Sequence, residues 1–117
     1  MSYIRYKNNN LFVEGVSVRK LASKLSTPFY LYSEGNIIEN FKSFLNNFKT
    51  SKPLICFSVK ANSNIQILKV LKKMGSGADV VSGGELLKAI KSGIRPNKIV
   101  FSGVGKTEDE IRLAIRK

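Results

Sequence analysis

From residue 54 onward the chain repeats one pattern three times: a short apolar run, a turn, then a segment with helical periodicity. LICFSV (54–59), ADVVS (78–82) and IVFS (99–102) are the apolar runs, each too short for a buried helix and rich enough in branched residues for a strand. Asn64 can cap a helix carrying Ile67, Leu68, Leu71 and Met74, which Gly75 and Gly77 end. Ser82 and Glu85 have the spacing of a capping box, followed by Leu86, Leu87, Ala89 and Ile90, with Gly93 and Pro96 as the stop. Thr107 and Glu110 repeat that box, with Glu108 and Asp109 suiting the helix dipole and with Ile111, Ala114 and Ile115 expected to face inward. Short strands joined by helices are the mark of parallel βα units, so the fold class is α/β. A closed (β/α)8 barrel takes about 250 residues. Three units in 117 residues therefore predict an incomplete TIM-type barrel.

The segment before residue 54 is less regular. KNNN (7–10) reads as an irregular tip, and residues 11–25 as a short strand followed by one or two helical turns. Pro28 breaks that helix through its effect on Thr27, and FYLYS (29–33) reads as an aromatic strand. Ser33 can cap the next helix, on which Ile37, Ile38, Phe41, Phe44, Leu45 and Phe48 form one apolar stripe suited to core packing.

Composition narrows the chemistry. Twenty basic and eight acidic residues give a net charge of +12. Such a charge suits nucleic acid or an anionic substrate. The lysines are scattered, however, and no basic run is interleaved with aromatics, so no nucleic-acid partner is expected. The excess of Lys, Asn and Ile reads as a bias of composition. With no His and only Cys56, this chain cannot build a Ser-His or Cys-His pair, and no metal site is expected. Cys56 lies within an apolar strand, as a small buried hydrophobe would. Neither a signal peptide nor a membrane-length apolar run is present, which points to the cytoplasm.

In parallel α/β folds the reactive groups gather at the C-terminal ends of strands. Lys60 stands there on the first strand. Buried against Phe57 and Val59, its amine would lose its proton readily and attack a carbonyl compound or pyridoxal phosphate. A lysine that snorkels to solvent fits the same position. Asp79, near the end of the second strand, could hold a polar group near Lys60 or pair with a surface lysine. Glu85 fits the return partner of its capping box, and the helix starts at Asn64 and at Gly83 and Gly84 could receive an anion. GVGKT (103–107) is not a phosphate loop, because Val100 stands where the first glycine belongs. GSGADVV fails the dinucleotide fingerprint at Val80.

TPFYLYS (27–33), CFSVKANSN (56–64), GADVVSGGEL (77–86) and IVFSGVGKTEDEI (99–111), in this order, resemble the N-terminal part of the diaminopimelate decarboxylases. These belong to the fold-type III, alanine-racemase-like pyridoxal-phosphate enzymes. The likeness runs from about residue 11 to the end. It implies pyridoxal 5'-phosphate as cofactor, held covalently by Lys60, with Asp79 and Glu85 at acidic positions near the cofactor and Asn62 shaping the loop after the lysine. It implies residues 1–33 as an N-terminal segment contributing to a second, all-β domain and residues 34–117 as the first three βα units of the barrel. The implied reaction turns meso-diaminopimelate into L-lysine and carbon dioxide. An ornithine- or arginine-type decarboxylase and a non-catalytic basic binding remnant are the alternatives. The family's ring-stacking histidine, its phosphate-binding glycine loops and the residues of its C-terminal domain have no counterpart here, and Ala78 is smaller than expected before Asp79. The implied partners are an amino-acid substrate and the remainder of the enzyme or a complementing chain, in a family of homodimers. The chain alone is expected to be inactive.

Overall fold

The computed structural model describes residues 3–117, and the chain forms two compact units, Met1–Asn40 and Phe41–Lys117. In the first, β1 (Ile4–Lys7), β2 (Asn10–Val13) and β3 (Val16–Ser17) form an antiparallel sheet in that order. Both connections are two-residue turns with positive φ, at Asn8 and Asn9 and at Glu14 and Gly15. Asn and Gly tolerate that conformation, and such turns match the twist of paired strands. The KNNN stretch is therefore a tight hairpin turn and not an irregular tip. Ser17 accepts the Lys20 N–H and starts the short helix α1 (Val18–Ala22). Residues 29–33, expected as a strand, have no strand partner among the described residues, and Tyr30 and Tyr32 stack at 6.4 Å between ring centroids.

Helix α2 (Glu34–Asn46) carries the chain from the first unit into the second. Ser33 caps it by accepting the Asn36 N–H at 3.0 Å. Of the apolar stripe, Phe41 is buried, whereas Phe44 and Phe48 are exposed and meet edge to face at 5.5 Å.

The second unit contains β4 (Cys56–Ser58), α3 (Ile65–Lys73), β5 (Gly77–Val80), α4 (Gly83–Lys91), β6 (Ile99–Phe101) and α5 (Glu108–Ile115). The three strands form a parallel sheet in the order β4-β5-β6. Asn64, Ser82 and Thr107 cap the three helices as the sequence predicts. Strand side chains alternate between faces. Ala78 and Val80 point into the helix-covered core with Val59, Leu68, Leu86, Ala89 and Ile94, against which Phe57, Ile99 and Phe101 pack. Cys56, Ser58, Asp79, Val100 and Ser102 consequently share the opposite face, which this unit's helices leave open; Val100 is half exposed.

Helix α5 departs from its expected orientation. Leu113 and Ala114 pack on the core, while Ile111 and Ile115 are exposed. Glu110 sets this rotation. Its carboxylate reaches the N–H of Gly83, so Glu110 faces α4 and the residues three and four positions on share that face. No helix among the described residues is long and apolar enough to cross a membrane.

Candidate active site

The C-terminal ends of β4 and β5 bring the expected residues to one edge of the sheet. After Ser58 the chain tightens into a 3-10 turn, Val59–Ala61, that draws Val59 fully into the core and sends Lys60 to the surface. Lys60 is therefore exposed, which fits the snorkelling lysine and not the buried amine, both of which the strand position allowed. Its amine has no hydrogen bond or ion pair among the described residues. Asn62 closes the turn: its N–H bonds to the Val59 carbonyl at 3.1 Å, and its Oδ1 accepts the Asn64 N–H at 3.0 Å. Asn64 in turn accepts the Gln66 N–H at 2.8 Å and starts α3.

Asp79, on the central strand of the sheet, pairs with no lysine among the described residues. Ser58 Oγ donates to its Oδ2 at 2.9 Å, and Ser102 Oγ donates to its Oδ1 at 2.5 Å. Parallel register places Ser58 opposite Asp79, and the Ser102 N–H continues the ladder to the Val80 carbonyl at 2.9 Å. All three side chains are half-buried. The two serines went unrecognised in the sequence because only strand register brings them together. Asp79 also acts along the open face. The Cys56 thiol is pushed up from its ordinary value, first by burial and then by the negative charge of Asp79, with Lys98 opposing.

Glu85 is arranged differently from a full capping box. Ser82 Oγ accepts the Glu85 N–H at 3.2 Å, but the Glu85 carboxylate takes the N–H of Val81 at 2.9 Å instead of that of Ser82. It thereby braces the chain as it leaves β5. The Gly83 N–H is held by Glu110, so this helix start is satisfied internally and does not offer that N–H to an anion. Among the described residues, no hydrogen bond or ion pair links any two of Lys60, Asn62, Asp79 and Glu85. The arrangement offers an accessible primary amine at a sheet end, beside a face carrying a fixed carboxylate. Those are the donors a carbonyl cofactor needs for covalent attachment and charge complementarity.

Residues 34–117 match the family model described as "Pyridoxal-dependent decarboxylase, pyridoxal binding domain". The chain belongs to this family. Among relatives of this pyridoxal-binding domain, the diaminopimelate decarboxylase of Aquifex aeolicus is 48% identical over 113 residues, which is 97% of this chain and 26% of that protein. The enzyme of the same name from Pseudomonas fluorescens is 43% identical over 98% of this chain and 28% of its own length. The crystal structure of diaminopimelate decarboxylase from M. jannaschii in complex with L-lysine superposes with a TM-score of 0.90 at 36% identity, covering 98% of this chain and 28% of that one. The chain thus spans roughly a quarter of the length of these relatives.

Proposed function

We propose that this chain is the N-terminal part of a pyridoxal-phosphate-dependent diaminopimelate decarboxylase, converting meso-diaminopimelate to L-lysine and carbon dioxide. The observation that carries the reading is Lys60, an exposed and unbonded amine at the C-terminal end of a parallel strand, in a chain 48% identical to an enzyme of that name. Lys60 would hold the cofactor through Nζ. When bound, pyridoxal phosphate supplies a sink for the electron pair left behind as the carboxylate departs. Asp79 presents a negative charge on the open face, Glu85 braces the exit of β5, and Asn62 shapes the turn that carries Lys60. The occupied N–H of Gly83 supports a phosphate cradle built by parts of the protein other than the start of α4.

Residues 34–117 are the first three βα units of a (β/α)8 barrel in this reading, and residues 1–33 belong partly to a second, all-β domain. The open polar face becomes the barrel interior, and the unpaired edges of β4 and β6 receive the remaining strands from the rest of the enzyme or a complementing chain. Parallel sheets are normally covered on both faces, which favours such completion. The assembled enzyme is a cytoplasmic homodimer acting on a free amino acid. An ornithine- or arginine-type substrate and a basic binding remnant have less support, since the relatives at 48% and 43% identity share the diaminopimelate decarboxylase name.

A chimera tests this. Replacing the matching segment of the Aquifex aeolicus enzyme with this chain should give a protein that releases carbon dioxide from meso-diaminopimelate, and Lys60→Ala in the chimera should abolish the release. A folded chimera that binds pyridoxal phosphate but leaves diaminopimelate untouched would overturn the substrate assignment.

A further inference from the structure

We propose that Ser58 and Ser102 are positioning residues that hold the Asp79 carboxylate in one orientation on the open face of the sheet, at the end where Lys60 emerges. The inference rests on the reading of Lys60 as the cofactor lysine and adds to it two residues which that reading does not contain.

The geometry is specific. Asp79 lies on the central strand, and each of its oxygens accepts a hydroxyl from a different side, at 2.9 Å from Ser58 in β4 and 2.5 Å from Ser102 just past the end of β6. One donor would leave the carboxylate free to swing about its last side-chain bond. Two donors on opposite sides, anchored to the sheet, remove that freedom. The choice of donor matters as much. In a chain with twenty basic residues, Asp79 is held by two neutral hydroxyls, which satisfy its oxygens without cancelling its charge. A Lys or Arg partner would have neutralised it. Charge that is fixed and uncancelled is what stabilises a cationic nitrogen nearby. Cys56, two residues before Ser58 on the same face, already responds to that charge.

The test uses the 117-residue chain, with Ser58→Ala and Ser102→Ala singly and together, Ser58→Thr and Ser102→Thr as variants that keep the hydroxyl, and Asp79→Asn. Two readouts are taken: the rate at which pyridoxal phosphate is captured at Lys60, fixed by borohydride and located by peptide mapping, and the pH profile of alkylation at Cys56, which needs no cofactor. A hydrogen bond to a charged group is worth about tenfold in an equilibrium. We therefore expect each single alanine variant to slow capture by up to about tenfold, the double variant by more than either, and the threonine variants to stay within about twofold of the parent. Asp79→Asn should lower the Cys56 midpoint. The alanine variants, which keep the charge but release its position, should shift the midpoint and the threonine variants should not, whereas a purely structural role would lower thermal stability without moving it.

Unchanged capture together with an unchanged Cys56 profile in the double alanine variant would overturn the proposal. If the parent chain captures no cofactor at Lys60 while the Cys56 profile moves as expected, the clamp stands and the cofactor assignment fails. Capture by the parent that the alanine substitutions leave intact, with an unmoved Cys56 profile, would do the reverse: the cofactor assignment stands and the clamp fails.

Discussion

The carboxylate of Glu110, in the first turn of α5, accepts the backbone N–H of Gly83 at 2.8 Å and so caps the first turn of the neighbouring helix α4. The same side chain takes the Thr107 N–H at 3.0 Å and completes the capping box of its own helix. One residue thus ties two helix starts together. The Thr107 and Gly83 N–H groups hold its carboxyl below the ordinary value of 4.5. A depressed folded value means the stabilisation is present above 4.5 and is lost as pH falls through the folded value. Glu110→Gln should destabilise the chain at neutral pH, and the gap to the parent should close as pH drops below 4.5; urea unfolding across that range measures it. Thr107→Ala, which removes the cap acceptor, should cost about 1 kcal/mol.

Glu14 makes the corresponding link in the first unit. It accepts Ser33 Oγ at 2.5 Å and the Gly35 N–H at 2.6 Å, and these bonds, Ser33 first, lower its carboxyl value. By the same sign argument, Glu14→Gln should weaken the unit at neutral pH and make it less sensitive to acid. Amide exchange at Gly35 and Asn36 reports this directly, and unchanged protection in the variant would contradict it.

Gly77 opens β5 where no side chain fits. A Cβ there would lie 2.3 Å from the Lys98 carbonyl oxygen and 2.8 Å from Cys56 Sγ. The nearer contact is backbone of the adjoining segment and cannot swing aside. Gly77→Ala should therefore destabilise the sheet by about 2 kcal/mol, read from denaturant unfolding.

The two faces of the second unit can be separated by truncation. Leu68 is fully buried in the core, and Leu68→Ala should cost about 3 kcal/mol. Ile115 is 80% exposed, and Ile115→Ala should change stability by less than about 0.5 kcal/mol. Equal effects would contradict the observed orientation of α5.

The alternation of strands and helices was legible because it depends on local patterns: apolar runs of strand length, and cap residues at Asn64, Ser82 and Thr107. What the sequence left hidden depends on register and on competition between bonds. Ser58, Asp79 and Ser102 are 21 and 23 residues apart and meet only through parallel pairing. Glu85 has the spacing to bond Ser82, yet the Val81 N–H wins its carboxylate. The inward face of α5 was misread because periodicity fixes which residues share a stripe and not which stripe turns inward; the reach of Glu110 to Gly83 decided that. At Lys60 the apolar run through Val59 allowed both a buried and a snorkelling side chain, and the 3-10 turn that exposes it leaves no clear signature in the pattern.

Under the proposed function Lys60, alone among fifteen lysines, holds the cofactor. Incubating the folded chain with pyridoxal phosphate, reducing with borohydride and mapping the labelled peptides tests it directly. One dominant pyridoxyl-lysine is expected, on the peptide that contains Lys60, and lost in Lys60→Ala. Label spread evenly over the surface lysines, or absent from Lys60 in a folded sample, would contradict it.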